Sequence, residues 1–353
     1  MKRIKALFLL FAAVLTLTFT ACAGEGGDLS SAESGITSDT SLETESITQS
    51  ESSKGQPDKE TSGGEAVSVF ANTKYYGRDS VKYVALGDSI ARGYGLKDPV
   101  GRSYPALIAN AFRKSLPDTE VDFTNYAVDG MTTQGLIELL ATNADKVDGA
   151  DIITVCIGAN NLLGTFLSIV EEYYPDIVPA RGEGDSLSED KSGDISGETV
   201  DSAALIDAIR AIEARVESEE FSAAMQAGIE KLNKDLPQIL HTLKSRAPDA
   251  EIYITTVYSP YHGINLSMPY IDVSLDMSAL SDKWVSALNT EIRRIVAEQG
   301  CILVDPYGHF EEKGGLVNAG GTLMPFNYSF DPHPNLGGHA ALANLHIKAI
   351  TGK

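Results

Sequence analysis

From about residue 80 onward the chain alternates short apolar runs with longer stretches of helical period. Tyr83-Val84-Ala85-Leu86 is an apolar run that stops at Gly87-Asp88-Ser89. That is the pattern of a buried strand delivering its last residues to a sharp turn. Residues 121–128 alternate and end at Asp129-Gly130, which predicts a second strand. Residues 151–157 are nearly all apolar, as in a central strand, and end at Gly158-Ala159-Asn160-Asn161. Residues 251–258 and 301–305 complete the set. Between the strands, Ser103 is placed to cap a helix with Pro105 in its first turn and Ala106, Leu107, Ala109 and Phe112 on one face. Further helices are predicted at 131–141, 162–172, 221–246, 281–299 and 338–350. Residues 91–102 and 259–277 read as irregular. Strands alternating with helices this long require right-handed crossovers and a parallel sheet covered on both faces. The expected fold is therefore α/β: one three-layer α/β/α sandwich with a mainly parallel sheet of about five strands, over residues 76–353.

Two parts of the chain break the pattern. Residues 174–220 carry Pro, Gly, Ser and many acids around one helical patch at 203–216, and read as an acidic low-complexity insertion, mostly disordered. At the N-terminus, Met1-Lys2-Arg3-Ile4-Lys5 is basic and residues 6–17 are apolar but too short to span a bilayer, the pattern of an export signal. Phe19-Thr20-Ala21-Cys22 resembles a bacterial lipobox, which implies that residues 1–22 are a lipoprotein signal peptide and that Cys22 is lipidated. The protein is then expected on the extracytoplasmic face of the cell membrane, or secreted. Residues 23–75 are rich in Ser, Thr, Glu, Gly and Asp and bury too little apolar surface to fold, so they read as a disordered tether. As a flexible coil the tether would reach roughly 40 Å.

The formal net charge of -21 becomes -24 once Lys2, Arg3 and Lys5 leave with the signal, which argues against a nucleic-acid partner. With Cys22 taken up by lipid, only Cys156 and Cys301 remain to pair. Both fall in predicted core strands, where small buried thiols are the expectation.

Three predicted strand ends present polar residues beside glycines: Asp88-Ser89, Gly130 and Asn160. Near the far end stands Asp331-Pro332-His333-Pro334-Asn335. A serine becomes a nucleophile when a histidine can take its proton and a carboxylate orients that histidine. In an extended segment Asp331 and His333 lie on one face, and Pro332 keeps Asp331 out of helix. Ser89 is thus the candidate nucleophile, His333 the general base and Asp331 its orienter. The N–H groups of Ser89 and Gly130 and the Asn160 amide are candidate donors to an oxyanion.

In these blocks the sequence resembles a GDSL-type esterase of the SGNH hydrolase superfamily. Gly87-Asp88-Ser89-Ile90 matches the nucleophile block, Gly130 the second, Gly158-Ala159-Asn160-Asn161 the third and Asp331-Pro332-His333 the last. The resemblance covers residues 82–350 and implies a flavodoxin-like sandwich and the same assignment of roles. Asn161 stands where the family commonly has Asp, which predicts weaker structural hydrogen bonds there. One residue separates Asp331 from His333 where two are frequent.

The implied function is hydrolysis of carboxylic esters, on lipids or short acyl esters, through a Ser-His-Asp triad. The alternatives are O-acetyl removal or acyl transfer on a polysaccharide, or non-catalytic binding at the cell surface. Tyr261 and His262, after the fourth strand, are candidates for substrate contact, and the apolar residues between 259 and 280 for a wall or lid. His339 is expected to cap or pack, and His241, His309 and His346 to be surface or packing residues. No zinc spacing, EF-hand loop or GxGxxG is present, so neither metal nor nucleotide cofactor is implied.

Overall fold

The computed structural model describes residues 69–177, 202–268, 273–323, 326–329 and 331–352. The signal, most of the tether and the centre of the acidic insertion lie outside these.

Five strands form one sheet: β1 (Ser80–Gly87), β2 (Glu120–Asn125), β3 (Ile152–Cys156), β4 (Glu251–Thr255) and β7 (Ile302–Val304). Their order is β2-β1-β3-β4-β7 and every pair is parallel. All five carboxyl ends therefore lie on one edge. The order reverses between β1 and β3, and such a switch point opens a crevice in doubly wound sheets.

Two packed layers flank the sheet, as the alternation of β1 requires. Val84 and Leu86 face a large cluster with α4 (Thr133–Asn143), α5 (Ala159–Ile177), α7 (Glu219–Arg246) and α8 (Met277–Gln299). Val81, Tyr83 and Ala85 face the other cluster, with α3 (Tyr104–Ser115) and α10 (Leu336–Thr351). Asp151 joins this sheet to the preceding segment: its carboxylate accepts the Lys82 N–H at 2.8 Å and pairs with Arg78 at 2.6 Å.

Three details depart from the sequence reading. The ordered body begins before residue 76: Phe70 and Tyr75 are fully buried, and Phe70 stacks on Phe112 with ring centroids 4.0 Å apart. Polar composition on either side hid these two anchors. The expected loop at 91–102 contains two one-turn helices, α1 (Ser89–Arg92) and α2 (Pro99–Arg102), each capped by an aspartate, Asp88 and Asp98. The irregular stretches carry small antiparallel hairpins, β5 (Leu266–Met268) with β6 (Val273–Leu275), and β8 (Gly320–Leu323) with β9 (Phe326–Ser329). The helical patch expected in the acidic insertion is present as α6 (Ser202–Val216), with Ile212 and Val216 in the core. A last short helix, α9 (Tyr307–Lys313), follows β7. Cys156 and Cys301 are both free.

Because Phe70 fills a closed aromatic contact, Phe70→Ala should cost about 3–5 kcal/mol. Urea denaturation monitored by circular dichroism measures this, and a loss below ~1 kcal/mol would mean that the ordered body starts later.

Candidate active site

The turn after β1 is built by exclusion. Gly87 has φ +144°, and a β-carbon on it would sit 2.2 Å from the Cys156 carbonyl oxygen, so only glycine passes here. The chain then enters α1, where the Asp88 carboxylate accepts the Ile90 N–H at 3.0 Å. Ser89 occupies the first position of α1, so its own N–H has no intrahelical acceptor.

His333 Nε2 lies 2.9 Å from Ser89 Oγ, and His333 Nδ1 lies 2.5 Å from Asp331 Oδ1. Three residues from opposite ends of the domain thus form one hydrogen-bonded row, with Ser89 and His333 buried. The loop carrying His333 is fixed from several sides. The Asn318 N–H donates to the His333 carbonyl at 2.8 Å, Asn318 Nδ2 to Asp331 Oδ2 at 2.9 Å, and the Tyr258 hydroxyl to the Pro332 carbonyl at 2.8 Å. Burial works to raise the Asp331 carboxyl, but its hydrogen bonds to the His333 ring and backbone and to Asn318 prevail and hold it below the usual carboxylate range. It stays ionised, as an orienter of an imidazolium must.

Around the serine, Asn160 Nδ2 donates to the Met131 carbonyl at 3.0 Å and reaches Asp88 Oδ2 at 3.4 Å. Gly130, at φ +76°, lies between Asp129, which pairs with Arg92 at 2.6 Å, and Met131. The Val128 N–H donates to the Gly87 carbonyl at 3.1 Å, which draws the Gly130 loop against the nucleophile turn. Asn161 does not leave a weak joint. Its Oδ1 accepts the Thr133 N–H at 3.1 Å and its Nδ2 donates to Thr133 Oγ1 at 2.8 Å, while the Thr133 hydroxyl donates to buried Asp235 at 2.7 Å. An amide can both donate and accept at this position, which a carboxylate cannot.

Sequence reasoning missed two contributors. Tyr94 lies over the His333 ring with centroids 4.4 Å apart. It follows the left-handed Gly93 that ends α1, and only the fold reveals what it covers. Asp88 is fully buried, and burial pushes its carboxyl up to about 7 against the opposing pull of the Ile90 N–H and the charge of His333. It is the cap of the nucleophile turn and a titrating group beside it. The other buried histidines are structural: His339 Nδ1 accepts the Tyr104 N–H at 3.2 Å, and His346 donates from Nδ1 to the Leu342 carbonyl at 2.8 Å. Burial pushes each of them down to about 4, so both are neutral at pH 7.

A pocket of about 110 Å³ opens at Ser89 and His333. Its walls come from α5 (Leu162, Leu163, Phe166), α7 (Phe221, Met225) and α8 (Met277, Trp284, Leu288). Tyr261 lines it. His262 does not; it is exposed and pairs with Asp282 at 3.2 Å and Glu311 at 3.5 Å. Among the described residues these three are the group whose ligand atoms, all within 4.8 Å of one another, are close enough to hold an ion. They lie outside the row at Ser89. Of the residues expected to form an apolar wall, Met277 reaches the pocket and Ile264 packs against the core instead, whereas the side chains of 266–275 lie outside the described residues; Leu280 lines the pocket as well.

Sheet and site together place the chain among the ester-hydrolysing enzymes of α/β architecture. The model of the GDSL-like lipase/acylhydrolase family matches residues 85–341, and the chain belongs to that family. It is 32% identical over 88 residues to the uncharacterized protein YpmR of Bacillus subtilis (strain 168), a match spanning 24% of this chain and 34% of that relative. A lipase from a goat rumen metagenome, Lip_vut3, shares the fold with TM-score 0.50 and 17% identity over 76% of this chain and 97% of its own. An extracellular lipase from Streptomyces rimosus aligns over 76% and 97% of the two chains, with TM-score 0.46 and 19% identity.

Two outcomes are expected. A group raised on folding binds its proton more tightly in the folded state, so its stabilising contribution is present below about pH 4 and is lost as pH rises to about 7. The change is on the order of 4 kcal/mol. Asp88→Asn should flatten the dependence of Tm on pH across that window, and a variant with the wild-type slope would exonerate Asp88. Tyr94→Leu should lower kcat/KM about 3- to 10-fold through loss of the ring against His333, with Tyr94→Phe near wild type. Equal losses in both variants would assign the effect to the hydroxyl.

Proposed function

We propose that this protein is an extracytoplasmic serine esterase that cleaves carboxylic esters through an acyl-enzyme. The observation that carries the reading is the row from Ser89 Oγ to His333 Nε2 at 2.9 Å and from His333 Nδ1 to Asp331 Oδ1 at 2.5 Å. A surface binding protein has no use for a serine, imidazole and carboxylate held in that order.

Ser89 Oγ attacks the ester carbonyl as its proton passes to His333 Nε2, and Asp331 stabilises the imidazolium through Nδ1. The carbonyl oxygen becomes an oxyanion, which takes hydrogen bonds from the N–H groups of Ser89 and Gly130 and from Asn160 Nδ2. Collapse expels the alcohol, which receives the proton from His333 and leaves an acyl-Ser89 ester. Water then attacks that ester with His333 again as base, releasing the acid and restoring the serine.

The apolar walls favour an acyl group with a hydrocarbon chain over the acetyl group of a polysaccharide, whose polar surroundings would meet no partners among Phe166, Phe221 and Met225. The export signal and Cys22 support a location outside the cytoplasm, with a lipidated Cys22 holding the enzyme at the membrane and residues 23–75 as its tether.

Fluorophosphonate should label the wild-type protein and fail to label Ser89→Ala. Asn160→Ala should lower kcat by about 10²–10³ on p-nitrophenyl esters while leaving Tm near wild type. Labelling that survives Ser89→Ala would remove Ser89 from the mechanism.

A further inference from the structure

The pocket behind the serine has a size, and the size selects substrates. We infer that it is a ruler for short acyl chains of about four to six carbons, with Trp284 as the residue that sets the limit. The inference rests on the esterase reading above and goes beyond it in naming the acyl class.

A cavity of about 150 Å³ lined by aliphatic and aromatic side chains accommodates a benzene ring, six carbons packed closely. At about 110 Å³ the pocket beside Ser89 has room for about four carbons. The carbonyl carbon and its neighbour stand at Ser89 itself, so an acyl group of four to six carbons fills the space. Acetyl leaves it empty, and a chain of ten or more carbons must displace a wall or run out of the mouth into solvent, where the added methylenes gain nothing.

The walls are not soft. Phe166, Phe221, Met225, Val257, Trp284 and Leu288 are each at least nine-tenths buried and belong to the core that covers the sheet. Trp284 is held on two sides, by an edge-to-face contact with Phe221 at 6.2 Å between ring centroids and by the Lys283 ammonium 4.7 Å from its own ring centre. Long acyl chains are accommodated by pockets that give way, and a tryptophan locked between another ring and a cation does not give way cheaply. The same residue is large enough that its removal opens the pocket by more than any other single wall substitution.

Trp284 is also the protein's one tryptophan, so its fluorescence reports on the pocket alone. Hydrolysis of p-nitrophenyl esters from acetate to dodecanoate is measured for wild type and Trp284→Ala. In wild type, kcat/KM should rise about fourfold per methylene from acetate to a maximum between butyrate and hexanoate, then fall. In Trp284→Ala the maximum should move to octanoate or beyond. Separately, 6-bromohexanoate is titrated into Ser89→Ala, where bromine against the indole should quench the emission saturably and bromoacetate should not. This second measurement stands even if Trp284→Ala fails to fold.

A profile that peaks at acetate, or climbs without a break past decanoate, overturns the ruler, as does a Trp284→Ala profile that peaks where the wild type does. Absence of saturable quenching overturns it too. A protein that neither reacts with fluorophosphonate nor hydrolyses any ester sinks the esterase reading instead, and quenching then still decides whether the cavity takes a short chain.

Discussion

Where β1 runs into α1, the backbone at Gly87 passes so close to the end of β3 that no β-carbon fits beside the Cys156 carbonyl. The neighbouring Asp88 N–H donates to that same carbonyl at 3.1 Å. The two strands are thereby clamped at the point where the sheet changes direction. Ser89 is carried forward on the next residue, and Asn160 in the first turn of α5, just past the strand across the clamp. A bulkier residue at 87 would part β1 from β3 and with them the nucleophile from its amide. The loop bearing Asp331 and His333 is then fitted to this fixed corner by Asn318 and Tyr258, not the reverse.

The arrangement costs the protein a buried acid. Asp88 caps the turn by accepting the Ile90 N–H, yet has no cation against it beyond what His333 provides. Its carboxyl rises toward neutrality because burial outweighs these contacts. A buried group raised to about 7 beside His333 couples the stability of the corner to its charge state. The arginine at this corner, Arg92, is spent elsewhere, on Asp129 at the surface, where it ties the Gly130 loop to α1.

How far the sequence speaks depends on how local the determining interaction is. The strands of the sheet and the helices after them are written in apolar runs and in periods of three to four residues, and the structure has them within a few positions. The four blocks carrying Ser89, Gly130, Asn160 and the Asp331-His333 pair were legible because each sits at a strand end or beside a proline, where spacing alone constrains geometry. Phe70 and Tyr75 were not, because their burial depends on Phe112 and Glu251, dozens or hundreds of residues away. Tyr94 is silent in sequence for the same reason, its partner lying 239 positions further on. His262 misled: adjacency to a strand end placed it near the cleft, but its ring turns to Asp282 and Glu311, and residue order cannot say which way a loop side chain faces.

The two faces of the sheet carry different burdens, and the division explains the pocket. The layer with α3 and α10 is closed by aromatic stacking, including Tyr104 on His346 at 4.8 Å, and by hydrogen bonds to His339 Nδ1 and to both nitrogens of His346. It holds Tyr258, whose hydroxyl fixes the loop that presents His333. The opposite layer is built from longer helices, α5, α7 and α8, whose side chains near Ser89 are large and apolar. Three cylinders meeting over a strand end cannot fill the space between them as closely as two can, and the residue left over is a cavity beside the nucleophile. Most of the wall is hydrocarbon, and away from Ser89, Asn160 and His333 the polar atoms on it are few, among them the Trp284 indole N–H, which is buried without a partner. A hydrocarbon chain gains its full transfer free energy there. The same packing that buries the sheet thus leaves a cavity with the Ser89 row at one end and a limit set by the reach of the helices at the other.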